Sequence, residues 1–113
     1  MPYIEAKLSI NLEENQKNEL QSILTNVVSL SFSKPKAYIM TCIEDGKSLY
    51  MAEKKLDKGA YISVSLLGSA SKSACQNLTA DICKILSGYG IDGSNVYVTY
   101  HPVDLWGWNG SMF

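Results

Sequence analysis

The residue of this chain best suited to acid–base chemistry is Pro2, which directly follows Met1. Removal of Met1 would leave the Pro2 nitrogen as a secondary amine at the start of a predicted strand. An α-amino group has a pKa of about 8 in water, and both desolvation and a nearby cation disfavour its protonated form. Such a base can move a proton between the carbon and the oxygen of a ketone. Many chains begin with Met-Pro, however, so Pro2 alone does not indicate catalysis.

One lysine and several aromatic residues are candidates for ligand binding. Lys34 follows a predicted helix, where the ordinary interpretation is a solvated cation that interacts favourably with the helix dipole. Lys36, two residues further on, is also interpreted as a solvated cation. Tyr97 shares one face of a predicted strand with Thr99 and His101. The aromatic candidates are Tyr38, Tyr97, Trp106, Trp108 and Phe113. Packing in a core or an interface is the usual role of such side chains.

The sequence argues against metal, disulfide and nucleic-acid chemistry. Cys42, Cys75 and Cys83 are odd in number and lack CxxC spacing, and His101 is the single histidine, so we expect neither a metal site nor a cofactor. The formal net charge is −1, and the one local charge cluster, residues 53–58, mixes signs. We therefore expect no nucleic-acid partner and no attachment to an anionic membrane.

Length and composition indicate one domain spanning residues 1–113. Hydrophobic residues make up 46% of the 113 residues and charged residues 19%, which is enough apolar material for a core. Glu5 and Lys7 interrupt the N-terminal stretch where a signal peptide would be apolar, and no apolar run approaches the length of a membrane span. A cytoplasmic location is the expectation.

Periodicity in hydrophobicity predicts two strand–helix–strand units. Apolar and polar residues alternate over residues 3–10, which indicates a half-buried strand, and apolar residues at helical spacing predict a helix over roughly 12–31. Asn11 is the predicted N-cap, with Glu14 as its capping-box partner. Asp45-Gly46 predicts a hairpin. The other predicted elements are strands at 37–43, 47–52, 60–67 and 96–101, and a helix carrying the apolar stripe from Ala74 to Tyr89.

This element order predicts the fold class. Long helical crossovers favour parallel pairing within each unit, so we expect an α/β fold (α+β in some schemes) with a four-stranded mixed sheet and two helices on one face. A domain of this size buries only about 65% of its unfolded surface. Because two helices cover one face of the sheet, the other face should be buried by oligomerisation.

The chain resembles the macrophage migration inhibitory factor family, which includes the D-dopachrome tautomerases, over nearly its whole length. The similarity is carried by Met1-Pro2, Lys34-Pro35, Tyr38-Ile39-Met40, Leu67-Gly68, Val96-Tyr97-Val98 and the tail from Gly107 to Phe113. Each fragment is weak alone, but their order and spacing are specific. The resemblance implies a homotrimer in which three sheets enclose a central channel.

The same resemblance assigns roles to individual residues. It implies that Pro2 is the catalytic base and that Lys34 holds a substrate carboxylate and lowers the pKa of the Pro2 amine. It places Leu67 where a backbone N–H contacts the substrate. Tyr97 is implied to enter the pocket from a neighbouring subunit. The residues implied to line the pocket are Tyr38, Trp106 and Trp108.

Three features depart from the family pattern. Thr99 occupies a position where the mammalian cytokine has a ligand-binding asparagine, so substrate orientation is expected to differ. The redox-type CxxC of some members is absent, and a Gly-Gly pair is replaced by residues 51–53.

The leading hypothesis is a keto–enol tautomerase that acts on small aromatic 2-keto acids such as phenylpyruvate. The second is a cytokine-like protein, exported without a signal peptide, that binds a host cell-surface receptor and keeps a vestigial pocket. A third, hydration or dehalogenation by the same proline, is disfavoured because related enzymes use pocket arginines and this chain has none.

Overall fold

A computed structural model describes all of residues 1–113. In chain order the elements are β1 (Pro2–Leu8), α1 (Glu14–Phe32), β2 (Met40–Glu44), β3 (Tyr50–Met51), β4 (Lys54–Lys55), β5 (Ala60–Leu67), α2 (Lys72–Ser87), β6 (Val96–Val103), β7 (Gly107–Trp108) and β8 (Ser111–Met112). Short 3-10 helices at Lys36–Tyr38 and Gly93–Asn95 precede β2 and β6. The chain therefore contains the two strand–helix–strand units that its periodicity predicts.

The four long strands form one mixed sheet in the order β2-β1-β5-β6. Strands β1 and β2 are parallel, as are β5 and β6, so each unit pairs its own two strands across a helix. The units meet through the antiparallel pair β1 and β5. This topology confirms the predicted fold class.

One face of the sheet and the two helices enclose the core. Alternate residues of β1 and β5 are buried, because successive side chains of a strand point to opposite faces. The helices contribute apolar stripes at three- and four-residue spacing. The fully buried apolar residues of these four elements are Ile4, Ala6, Leu8, Leu20, Leu24, Val28, Ile62, Val64, Leu66, Leu78, Ile82 and Leu86.

The opposite face, which we call the bare face, carries polar and aromatic side chains from β1, β5 and β6. Its members are Tyr3, Glu5, Lys7, Tyr61, Ser63, Ser65, Tyr97, Thr99 and His101, none of them buried. Tyr97 alone keeps 66% of its surface exposed. Hydrogen bonds link Tyr61 to Thr99 at 2.7 Å and Thr99 to the His101 ring at 2.8 Å. The bare face is thus an ordered polar surface without a covering layer.

The predicted N-cap of α1 was wrong. The cap is Glu13, whose side chain and backbone exchange hydrogen bonds with Gln16 in a capping box, rather than Asn11 with Glu14. The Leu12 N–H donates to the Asp45 carboxylate at 2.9 Å. This contact ties the segment before the helix to the end of β2, so the helix begins two residues later than predicted.

The hairpin predicted at Asp45-Gly46 was also wrong. The Gly46 N–H donates to the Ile10 carbonyl at 2.8 Å, so the chain after β2 runs alongside the end of β1 instead of folding back on β2. The hairpin forms later, between β3 and β4. Its two turn residues, Ala52 and Glu53, adopt positive φ values of 52° and 65°. These values are typical of the turn in a two-residue hairpin. The sequence gives no sign of this turn, because neither position is the glycine that usually occurs there.

Candidate active site

A cavity of about 750 Å³ opens at the end of the sheet where β1 begins. Antiparallel pairing aligns Pro2 with Leu66, so the chain terminus lies beside the carboxyl end of β5. The walls are mainly apolar. The lining residues are Met1, Pro2, Tyr3, Ala37, Tyr38, Ile39, Met40, Ser65, Val103, Trp106, Gly107 and Trp108. Of the residues that the sequence suggested, the structure brings Pro2, Tyr38, Trp106 and Trp108 together here.

The amino terminus at this cavity is electrostatically biased toward its neutral form. In the full chain the amine belongs to Met1, and its pKa is lowered first by desolvation and second by the charge of Lys34. Both effects disfavour an ammonium ion. Removal of Met1 would leave the amine on Pro2, which is the first residue of β1 and also lines the cavity. The same two influences would then act on the proline nitrogen.

The backbone of Leu67 faces the same terminus. Its N–H donates to the Met1 carbonyl oxygen at 3.2 Å. Loss of Met1 would free this donor beside the new amine. A backbone N–H exposed in this way can bind an oxygen atom of a ligand irrespective of the leucine side chain.

Lys34 lies near the amino terminus but does not line the large cavity. It lines a smaller one of about 190 Å³, between the end of α1 and the start of α2. The preceding Ser33 adopts a left-handed conformation that ends α1, and the Lys34 N–H donates to the Ser29 carbonyl at 3.0 Å. The ammonium group forms no salt bridge. The charge of Lys34 is therefore available to a ligand carboxylate.

The carboxyl-terminal tail supplies the aromatic wall. Strands β7 and β8 form a hairpin, and the Phe113 N–H donates to the Trp106 carbonyl at 3.0 Å, which folds the tail over the cavity. The rings of Tyr38 and Trp108 meet edge to face, with centroids 5.8 Å apart. Trp108 and Phe113 stack at 5.9 Å. An apolar pocket walled by aromatic rings suits a flat aryl group.

Tyr97 and Thr99 do not join this cavity within one subunit. Both lie on the bare face, and the Thr99 hydroxyl is engaged by Tyr61 and His101. The site residues predicted from sequence did not include several residues that line the cavity, among them Tyr3, Met40, Ser65 and Val103. The signal that places three of them was strand register, since Tyr3 is aligned with both Met40 and Ser65.

No group of three or more His, Cys, Asp or Glu side chains is placed to hold a metal ion. Cys42, Cys75 and Cys83 are all free thiols. No helix combines the length and hydrophobicity needed to cross a membrane.

The fold and the site together define a class of small α/β proteins in which paired strand–helix–strand units place the start of the first strand beside an aromatic-walled cavity. The sequence matches the profile of the macrophage migration inhibitory factor (MIF) family over residues 1–113. The chain therefore belongs to the MIF family, within the tautomerase superfamily. No curated protein matches the sequence significantly.

Solved structures share this fold at low sequence identity. MIF2 from Leishmania major is 24% identical, with a TM-score of 0.92 over 100% of this chain and 97% of that one. The MIF-like protein from Entamoeba histolytica is 26% identical, with a TM-score of 0.89 over 99% and 98% of the two chains. Pt0534, solved after inactivation by 2-oxo-3-pentynoate, is 19% identical, with a TM-score of 0.83 over 96% and 93%.

Proposed function

We propose that the mature protein, after loss of Met1, is a keto–enol tautomerase of arylpyruvates such as phenylpyruvate. The observation that carries the proposal is the amino terminus itself: it opens into an aromatic-walled cavity, and its pKa is lowered by desolvation and by Lys34. Aromatic walls fit the aryl group, and a neutral amine is the base that enolisation requires.

In the proposed reaction the Pro2 nitrogen removes a proton from the carbon between the ring and the carbonyl group. The electron pair moves toward the carbonyl oxygen, which takes up a proton from solvent to give the enol, while the protonated Pro2 amine releases its proton to solvent. The reverse sequence regenerates the ketone. Hydrogen bonds that strengthen as charge develops on that oxygen accelerate the reaction. The Lys34 ammonium and the freed Leu67 N–H are the groups we assign to the substrate carboxylate and keto oxygen.

The inactivation of Pt0534 by a 2-oxo acid, 2-oxo-3-pentynoate, lends support by analogy, because arylpyruvates carry the same 2-oxo acid group. The direct test is to measure ketonisation and enolisation of phenylpyruvate on protein whose mass shows the loss of Met1. We expect catalysed turnover that rises with pH as the amine becomes neutral. An inactive mature protein would contradict the proposal.

We also propose that the working unit is a homotrimer. The bare face is ordered and polar but uncovered, and Tyr97 and Thr99 lie on it rather than in the cavity of their own chain. Burial of this face against neighbouring subunits, except at its Tyr3 and Ser65 end, where the cavity opens, would let Tyr97 enter an adjacent cavity. Sedimentation equilibrium at micromolar concentration should therefore give about three times the subunit mass of 12.5 kDa. A folded monomer under these conditions would contradict this assembly.

Replacement of Trp106 should weaken ligand binding more than folding. Its ring lines the cavity, and the tail that carries it is peripheral to the core. Truncation of an aromatic wall typically costs about 1–3 kcal/mol of binding free energy, so Trp106→Ala should raise the Kd of an arylcarboxylate inhibitor roughly 5- to 160-fold.

Leu105→Ala is the matched control for Trp106, because Leu105 is adjacent, apolar and 80% exposed but lies outside the cavity. Calorimetric titration and thermal unfolding of both variants separate the two roles. A large loss of thermal stability in Trp106→Ala, with unchanged affinity in the folded fraction, would make Trp106 a structural residue.

A further inference from the structure

The wall of the cavity beside Pro2 contains one aliphatic hydroxyl group, that of Ser65. Strand register explains its position: Pro2 is aligned with Leu66, and Tyr3 with Ser65. Ser65 therefore precedes by two residues the Leu67 N–H that contacts the amino-terminal segment at 3.2 Å. The hydroxyl, the N–H and the amine all belong to one end of the cavity.

The Ser65 hydroxyl is free to bind a ligand. No backbone or side-chain group of the chain forms a hydrogen bond with it, and no buried polar side-chain atom lacks a partner, so the group faces open space. The neighbouring Tyr3 hydroxyl points instead toward Glu5, at 3.4 Å. An unoccupied donor in an otherwise apolar wall marks the position where a polar atom of the ligand can be recognised.

The orientation of an arylpyruvate determines which of its atoms reaches Ser65. The aryl ring belongs among Tyr38, Trp106 and Trp108, and the carbon that loses its proton belongs beside Pro2. The 2-oxo oxygen is attached to the next carbon, at the Pro2 end of the cavity. We propose that the Ser65 hydroxyl donates a hydrogen bond to this oxygen and thereby selects 2-oxo acids as substrates. This inference rests on the proposed function.

The hydrogen bond would matter most in the transition state. As Pro2 takes the proton from carbon, negative charge grows on the 2-oxo oxygen, and Ser65 stabilises that charge without giving up its own proton. Interactions that strengthen in the transition state affect kcat rather than KM. Ser65 is thus assigned a role in both substrate selection and rate.

The chain offers a matched control in Ser63, which lies on the same strand and the same face but does not line the cavity. We expect Ser65→Ala to lower kcat for phenylpyruvate about tenfold and to raise KM by no more than about fivefold, and Ser63→Ala to leave both unchanged. Ser65→Thr, which keeps a hydroxyl, should recover most of the activity. Equal kcat values for the two alanine variants would overturn the proposal.

A comparison of two substrates shows whether Ser65 contacts the 2-oxo oxygen or a substituent on the ring. The effect of Ser65→Ala should be the same for phenylpyruvate and 4-hydroxyphenylpyruvate. If only the hydroxylated substrate were affected, Ser65 would contact the ring hydroxyl, and the assignment to the 2-oxo oxygen would be wrong.

A binding experiment keeps this inference separate from the proposed function, because it requires no turnover. 3-Phenyllactate carries an oxygen at the second carbon, whereas 3-phenylpropionate does not. In calorimetric titration, Ser65→Ala should weaken phenyllactate binding about fivefold and leave phenylpropionate unchanged. This result in a protein without tautomerase activity would support oxygen recognition by Ser65 while refuting the enzymatic function. Equal effects on both ligands would refute the role of Ser65.

Discussion

Retention of Met1 is expected to abolish phenylpyruvate tautomerase activity while leaving the subunit folded. The active site loses both its basic amine and a free hydrogen-bond donor. The Pro2 nitrogen becomes an amide without usable basicity, and the Met1 carbonyl occupies the Leu67 N–H at 3.2 Å, where we place a substrate oxygen. Pro2 is buried at the start of β1, but neither Met1 nor Pro2 belongs to the apolar core cluster, so folding should be preserved. Protein produced with methionine aminopeptidase inhibited, and verified by mass, provides the measurement.

Pro2→Gly serves as the companion variant, since methionine is also removed before glycine and an amine is retained. The glycine amine is primary and no longer held by a ring, so activity should fall severely but not to zero. General bases typically contribute about 10²- to 10⁴-fold, which sets the upper range of the loss. A folded, Met1-retaining protein that turns over phenylpyruvate at near the mature rate would exclude Pro2 as the base.

The fold could be predicted from sequence largely because its core follows simple periodicities. The alternation through β1 and the helical stripes of α1 and α2 each specify one buried face, and these faces match in the structure. Local turn chemistry was less informative. Asn11 and Asp45-Gly46 have the residue types of a cap and a hairpin. Their conformations are instead determined by two tertiary hydrogen bonds, one donated by the Leu12 N–H to the Asp45 carboxylate and one donated by the Gly46 N–H to the Ile10 carbonyl.

Only part of the candidate site could be predicted from the sequence. Pro2 and Trp106 could be proposed from chemical type and family resemblance. Ser65 and Met40 could not, because their places on the cavity wall depend on the register of β1 with its two neighbours. Neither residue has a type or spacing that distinguishes it along the chain. Tyr97 depends on a further level of structure, since only an adjacent subunit could bring it to a cavity.

Removal of the Lys34 charge should shift the pH dependence of activity and weaken substrate binding. Lys34 is the second cause, after desolvation, of the lowered pKa of the Met1 amine, and we expect it to act in the same direction on the Pro2 amine of the mature protein. Without this cation the ammonium form is less disfavoured, so the pKa of the amine rises and a smaller fraction is neutral at a given pH. Because the neutral amine is the active base, the ascending limb of the pH–rate profile should move to higher pH in Lys34→Ala.

The binding effect has a separate origin in the substrate carboxylate. A hydrogen bond to a charged group contributes about 1.5–3 kcal/mol, and partial solvent exposure of Lys34 reduces this, so KM should rise about tenfold. Below neutral pH the two effects multiply, so kcat/KM should fall by more than the tenfold that binding alone would cause. Lys36→Ala is the matched control, because it removes an exposed lysine that lines neither cavity and is not among the causes of the lowered amine pKa. If both variants raised KM equally and neither moved the ascending limb, the charge of Lys34 would act only through the overall field of the protein, and its assignment to the substrate carboxylate would be wrong.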